Sequence, residues 1–230
     1  MPDSVRPTSI ADLPPQTAAN PASQAEARAR YFNTGNAFNV KLPKVPNAVF
    51  ADEPTRALDP ATPTGLVPCD SADVMKCAFP ATSPLVMAYY ARIRAGETLG
   101  TDFVASGAVH YVIQGTGTTV SGAETLTWGP GDIFVTPGDE SQNHTAGAAD
   151  AVLWVVTNEP QLAFENLQSP APGQSPTNTV HYTADELDRQ IALIYEIGKT
   201  PDIPGSALVL SSAKQEASRN VLPTLTVAMN

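Results

Sequence analysis

The chain has 230 residues, 42% of them hydrophobic, and a formal net charge of -10 at pH 7. This length and composition predict a globular protein with one substantial core. The negative charge repels phosphate backbones and anionic lipid, so we expect neither nucleic acid nor a membrane as a partner. The negative net charge does not exclude a small anionic substrate, because one buried basic group can outweigh the electrostatic field of the whole protein.

Signals for export or for a disulfide framework are missing from the sequence. The segment 1–10 is polar, and no run approaches the roughly 18 apolar residues of a membrane span. We therefore expect a cytoplasmic protein. The two cysteines, Cys69 and Cys77, match no zinc pattern and are too few for a disulfide scaffold, so we predict reduced thiols.

Residues 1–84 are predicted to form an irregular, proline-rich N-terminal arm. Half of the 22 prolines precede residue 70, which limits regular helix or sheet there. One short helix is expected over 27–32, because Ser23 and Glu26 have the spacing of a capping box. The segment 40–61 is expected to be extended and to pack over a barrel or a neighbouring subunit.

Residues 85–167 have a sequence pattern that is typical of an antiparallel β-sandwich or β-barrel. Short β-prone stretches alternate with turn signals such as Arg94-Ala95-Gly96-Glu97 and Gly129-Pro130-Gly131-Asp132. The segment Ser121-Gly122-Ala123 predicts a hairpin between two of them. The predicted strands are 85–93, 109–114, 118–120, 124–128, 133–136 and 151–157.

Residues 168–230 are predicted to form a linker, a helix and a terminal strand. Thr183 and Glu186 have capping-box spacing ahead of an apolar face, and Gly198 is a natural stop for that helix. The apolar segment 222–229 predicts a strand with no obvious neighbour. Because unpaired backbone groups are costly when buried, we expect this strand to fray, to self-associate or to begin a second barrel.

Two motifs in the central region resemble those of the cupin superfamily. Tyr111-Val112-Ile113-Gln114-Gly115-Thr116-Gly117 is similar to the end of the first cupin motif, and Gly131-Asp132-Ile133-Phe134-Val135-Thr136-Pro137-Gly138 to the start of the second. The arm, the late helix and the segment 222–225 resemble most closely the N-terminal barrel of two-barrel gentisate/salicylate dioxygenase-like cupins. The resemblance implies an all-β fold: a cupin-type antiparallel β-barrel, or jelly roll, with an irregular N-terminal arm and a C-terminal helix.

The same resemblance implies a non-haem iron held by three histidines, and this sequence departs from it there. Counted from Gly115, the His-x-His pair falls on Asp102 and Val104. Counted from Pro137, the third histidine falls on Gln142. One carboxylate and one amide do not make a competent iron site, because Fe(II) is suited by neutral imidazoles. We therefore expect no metal cofactor, with Fe(II) as the alternative.

Two histidines remain near these positions. By strand alternation His110 faces the interior, where the resemblance implies an arginine facing a substrate carboxylate, and His144 lies two residues beyond the lost ligand. Asp102, His110, Gln142 and His144 are the candidate ligand pocket, and Asp102, His110 and His144 are the weak metal candidates. The competing interpretation is that His110 is a hydrogen-bonded interior residue and His144 a loop residue.

Three functions follow from this pattern. The first is a metal-poor domain of a two-barrel dioxygenase-like protein that serves assembly or shapes a partner barrel's pocket. The second is an aromatic-ring-cleaving dioxygenase that uses unorthodox ligands, so the chain's status as an enzyme stays open. The third is a stand-alone module that binds a small aromatic or organic acid. The expected partner is a second cupin barrel or another copy of the chain.

Overall fold

The computed structural model describes residues 9–10, 13–14, 16–35, 45, 47–175, 177–198, 208–211 and 226–229. The chain forms two compact units, Met1–Val45 and Pro46–Asn230. In the first unit, helix α1 (Gln24–Arg28) begins at the predicted capping box. The Ser23 hydroxyl accepts a hydrogen bond from the Glu26 backbone N–H at 3.2 Å, and the Glu26 carboxylate accepts one from the Ala22 N–H at 2.7 Å. The helix therefore starts three residues earlier than predicted.

The second unit contains two antiparallel sheets that face each other and a separate two-stranded sheet. Its helices are α2 (Asp52–Leu58), α3 (Ala72–Met75), α4 (Glu159–Glu165) and α5 (Ala184–Ile197). Its strands are β1 (Gly65–Pro68), β2 (Met87–Ile93), β3 (Thr98–Thr101), β4 (Gly107–Gln114), β5 (Gly117–Ser121), β6 (Glu124–Trp128), β7 (Ile133–Pro137), β8 (Gln142–Ala146), β9 (Ala151–Thr157), β10 (Val180–Tyr182), β11 (Leu208–Ser211) and β12 (Thr226–Met229).

Strand order confirms the predicted all-β fold of the jelly-roll kind. One sheet has the order β1-β2-β9-β4-β7-β10 and the other β3-β8-β5-β6, with antiparallel pairing throughout. Among the described residues no strand pairing joins the two sheets, so they do not close into a continuous barrel. Buried side chains from both sheets form the main core between them, including Val112, Trp128, Phe134 and Leu153.

Glycines at the two motif turns have backbone angles that other residues adopt only with strain. Gly115 has φ +82° and Gly131 has φ +87°. A Cβ on Gly115 would also collide with the backbone of Asp150 and Ala151. These glycines are therefore required by the turns themselves, which is why the motifs predict the fold and say little about chemistry.

The six predicted central strands are confirmed, whereas the expected extended conformation of 40–61 is wrong over Asp52–Leu58, which forms helix α2. The structure also adds strands that the sequence did not indicate. Strands β1 and β10 form the two edges of the six-stranded sheet, on either side of the predicted region 85–167. Strands β3 and β8 pair with each other, yet both are rich in polar residues and lack a run of β-branched side chains. Helix α4 begins at Glu159 with Pro160 in its first turn, where a missing N–H costs little.

Two expectations for the C-terminal region need correction. The terminal strand has a neighbour, because β12 pairs with β11 along Thr226 to Met229; residues 222–225 lie outside the described residues. Helix α5 ends at Gly198 as predicted, but Thr183 makes no side-chain cap. Its place is taken by Asp132, whose Oδ1 accepts a hydrogen bond from the Ala184 N–H at 2.8 Å.

Two further observations concern cysteines and helix length. Both cysteines are free, as predicted, with Cys69 buried and Cys77 partly exposed. Among the described residues, none of the helices has the length and apolar character needed to cross a membrane.

Candidate functional site

Three of the four predicted pocket residues lie together between the two sheets. His110 is on β4 in the six-stranded sheet, and Gln142 and His144 are on β8 in the four-stranded sheet. All three are buried, with relative exposures of 0%, 3% and 1%. The rings of His110 and His144 face each other across the interior with their centroids 5.0 Å apart.

The structure does not bring Asp102 into this group. Asp102 and Val104 are exposed, whereas Thr101, Phe103 and Ala105 are buried. Both positions that the resemblance assigns to the His-x-His pair therefore carry side chains on the outside. Phe103 occupies the interior instead, with its ring centroid 5.4 Å from that of Tyr89.

A chain of hydrogen bonds surrounds His144. Trp128 Nε1 lies 2.9 Å from Thr119 Oγ1, and Thr119 Oγ1 lies 2.8 Å from His144 Nδ1. His144 Nε2 lies 3.1 Å from Thr101 Oγ1, which donates to Gln142 Oε1 at 3.3 Å. The Gln142 amide in turn donates to backbone carbonyls, that of Pro137 at 3.1 Å and that of Glu140. Every polar side chain of this set has a partner.

The donor groups at the two ends of this series of hydrogen bonds determine which atom donates in each bond. The Trp128 indole can only donate, so Thr119 accepts from it and its own proton is free for His144 Nδ1. Because Thr101 directs its proton to Gln142, it must accept from His144 Nε2–H. His144 is therefore the neutral Nε2–H tautomer in this arrangement. Burial lowers its pKa from 6.5 to about 4, which agrees with a neutral ring.

His110 has a different environment. It stacks on Phe134 at a centroid distance of 4.4 Å and an interplanar angle of 6°. Neither ring nitrogen has a hydrogen-bond partner among the described residues, and the buried hydroxyls of Ser121 and Thr136 have none either. Burial lowers the pKa of His110 well below 6.5, and the nearby His144 lowers it further. The backbone groups of Phe134 and Ala108 lie close enough to favour the charged ring, although not in hydrogen-bond geometry, and they are too weak to reverse this shift.

The interior does not fit the iron that the resemblance implies. Among the described residues, no group of three His, Cys, Asp or Glu side chains is placed to hold a metal ion. Both nitrogens of His144 are already hydrogen-bonded to threonines, and the Asp102 carboxylate is outside. A metal at His110 would thus have one free imidazole and no second ligand of suitable type.

Sequence reasoning missed the threonines that hold His144. Thr101 and Thr119 are inward-facing, and each is at most 5% exposed. On β5 the only available signal was alternation, since Val120 is exposed between the buried Thr119 and Ser121. His181, which the sequence did not single out, is partly buried, and its Nε2 lies 2.9 Å from Asp132 Oδ2.

Comparisons with known proteins find dioxygenases among the similar chains. No protein-family model matches the sequence. A curated relative, the 5-aminosalicylate 1,2-dioxygenase of Comamonas sp, is 36% identical over 94 residues, covering 34% of this chain and 25% of the relative. This chain therefore spans about a quarter of the length of the curated relative it matches.

One solved structure supports the fold. A salicylate 1,2-dioxygenase from Pseudoaminobacter salicylatoxidans, a tryptophan-to-tyrosine mutant, superposes with a TM-score of 0.52 at 18% identity, covering 74% of this chain and 62% of that one. The structure of the same enzyme with gentisate has a TM-score of 0.38 at 21% identity, covering 47% and 28%. Together the curated and structural neighbours point to salicylate, gentisate and aminosalicylate dioxygenase-like cupins.

Proposed function

We propose that this dioxygenase-like cupin is a metal-poor domain of a two-barrel protein, in which it supplies assembly surface or shapes the pocket of a partner barrel. The observation that carries the proposal is the filled interior. Phe103 packs in the core between the sheets, and the polar side chains from Trp128 to Gln142 are hydrogen-bonded to one another, so these side chains are not available as metal ligands.

The extent of the similarity supports a domain rather than a whole enzyme. The match to the 5-aminosalicylate 1,2-dioxygenase covers only 25% of that protein. A catalytic site would then belong to a part of the full protein that this chain does not match. The function of the present domain would depend on its outer surface, where it could contact that part or another copy.

Exposed apolar side chains give such a surface. On α5, Leu193 and Ile197 are 46% and 78% exposed, and on the outer side of β4, Tyr111 and Ile113 are 39% and 36% exposed. The inner side of α5 is already buried, since Leu187 packs on the six-stranded sheet. Apolar groups left outside after that packing are typical of protein contacts.

Iron loading tests the metal-poor proposal. We expect the full chain, incubated anaerobically with Fe(II) and desalted, to retain far less than one iron per chain, because His144 is committed to Thr101 and Thr119. Elemental analysis gives the stoichiometry. His144→Ala removes the hydrogen-bonded ring, and Asp102→Ala, on the exposed side, is its matched control.

The outcome also separates the enzyme from the domain. About one iron per chain, lost in His144→Ala, would overturn the proposal in favour of a ring-cleaving dioxygenase with unorthodox ligands. Weak iron that is lost only in Asp102→Ala would show adsorption on the surface, which leaves the interior metal-free as proposed.

A second candidate, a module that binds a small organic acid, rests on the unpartnered nitrogens of His110. A ligand that reached them would gain hydrogen bonds that the protein leaves unmade. The lowered pKa weakens this candidate, because a neutral imidazole attracts a carboxylate far less than an imidazolium does. Benzoate binding by calorimetry that is lost in His110→Ala would support it.

A further inference from the structure

A cavity of about 180 Å³ lies between α4, β2 and the loop that follows β3. Its wall is largely apolar and is formed by Phe79, Pro80, Val104, Ala163 and Leu167. It is distinct from the interior that holds His110 and His144, because Tyr89 lies between them. The Tyr89 ring lines the cavity on one side and contacts Phe103 of the core on the other.

One carboxylate lines this otherwise apolar space. Glu159 Oε2 accepts hydrogen bonds from the Tyr89 hydroxyl at 2.8 Å and from the Thr157 hydroxyl at 2.7 Å. Both hydroxyl protons are thereby used, so these groups have none left to donate to an anion. The polar side of the cavity consequently presents acceptor oxygens and negative charge.

The carboxylate has no cationic partner within the part of the chain that the structure describes. The ion pairs there are Arg92–Asp150, His181–Asp132 and Arg189–Glu186. The effect on Tyr89 agrees with a negative site: burial raises its pKa, and the hydrogen bond to Glu159 and the charges of Glu159 and Asp70 raise it further. A cation in the cavity would meet complementary charge in surroundings of low polarity.

We propose that this cavity binds a small organic ammonium ion, with the ammonium group at Glu159 and its apolar body against Phe79, Val104 and Leu167. The volume suits a ligand of about one ring, since pockets for drug-sized molecules measure roughly 300–1,000 Å³. The ligand's charge is opposite to that of the organic acid expected at His110. The site is independent of the proposed assembly function.

Titration with benzylammonium tests the site on the full chain. Benzyl alcohol and benzoate keep the ring and replace the ammonium by a neutral group and an anion. We expect saturable binding of benzylammonium by calorimetry at low salt, roughly tenfold weaker binding of benzyl alcohol, and none of benzoate, since a charge-assisted hydrogen bond is about twice as strong as a neutral one. Amide NMR shifts should map to α4 and β2.

Variants locate the effect. Glu159→Gln keeps an acceptor for Tyr89 and Thr157 while removing the charge, and should weaken benzylammonium about tenfold, as expected for losing one charged partner. Glu165→Gln changes an exposed carboxylate of the same helix that does not line the cavity, and should leave affinity unchanged. Val104→Trp fills the cavity from its exposed side and should abolish binding; circular dichroism checks that each variant is folded.

Two results would overturn the proposal. Equal affinity of benzylammonium for wild type and Glu159→Gln would show that the carboxylate does not recognise the ligand. Unchanged binding in folded Val104→Trp would place the ligand elsewhere. Iron content plays no part in either result, so the test is separate from that of the proposed function.

Discussion

At the scale of single residues, the two interior histidines have opposite hydrogen-bonding environments. His144 is held at both nitrogens by threonine hydroxyls, whereas His110 stacks on Phe134 with both nitrogens unpartnered. Both are kept neutral by burial. A protonated His144 would have to donate from Nδ1 to Thr119, and its Nδ1 is the acceptor that Thr119 has among the described residues.

This neutrality makes stability depend on pH. The pKa of His144 is lowered to about 4 in the folded state, so the unfolded chain binds a proton first as the pH falls below 6.5. The contribution of neutral His144 to the free energy of unfolding is fully present above pH 6.5. It is lost as the pH falls from 6.5 to about 4, and the loss is about 3 kcal/mol at pH 4. His110 acts in the same direction.

We expect His144→Gln to flatten the pH dependence of unfolding, because glutamine keeps polar atoms at the site without titrating. Urea denaturation at pH 7, 6 and 5 measures it against Asn143→Gln, which changes an exposed, non-titrating residue on the same strand. Parallel curves for wild type and His144→Gln would show that His144 is not the group that titrates.

At the scale of elements, α5 is fixed to the sheet by a residue far away in the sequence. Asp132 follows a motif turn before β7, yet its carboxylate accepts from the Gly129 N–H at 3.0 Å, from the Ala184 N–H at 2.8 Å and from His181 Nε2 at 2.9 Å. Partial burial raises the pKa of Asp132, but these hydrogen bonds and the charge of His181 outweigh it and lower the pKa overall.

Asp132→Ala should therefore loosen α5. The first turn loses its cap, which is typically worth about 1 kcal/mol, and the motif turn loses an internal bond. We expect faster amide hydrogen exchange in α5 with little change in β5 and β6. Asp188→Ala, an exposed carboxylate within α5, is the control. Equal protection of α5 in wild type and Asp132→Ala would contradict a capping role. In wild type this stabilisation should be lost as the pH falls through the lowered pKa of Asp132.

At the scale of the whole molecule, side chains of both sheets fill the core between them, and further apolar side chains stay exposed on the surface. The main core cluster uses side chains of both sheets, while Leu193 and Ile197 on α5 stay exposed. A net charge of -10 favours solubility of the separated chain, so association must come from local apolar patches rather than from the overall field.

We expect self-association of the full chain to weaken in the double variant Leu193→Glu/Ile197→Glu, because charges there oppose burial of the outer side of α5. Sedimentation equilibrium measures the mass. Thr125→Glu, which adds charge to an exposed position on the edge strand β6, should have no effect. A wild type that stays monomeric at all concentrations would remove self-assembly from the proposal and leave contact with another barrel.

Local features of the sequence determined the turns, most of the strands and the interior position of His110. The sequence predicts the turns at Gly115 and Gly131 because these turns need positive φ. It predicts the inward position of His110 because side chains alternate along β4. The tertiary structure alone decided that Phe103 points inward and Asp102 outward, since burial alternates from Thr101 to Ala105 but its phase depends on how β3 packs against the opposite sheet. It also decided the direction of the His144 hydrogen bonds and the capping of α5 by Asp132, because these join residues far apart in the chain, whose meeting depends on how the sheets pack.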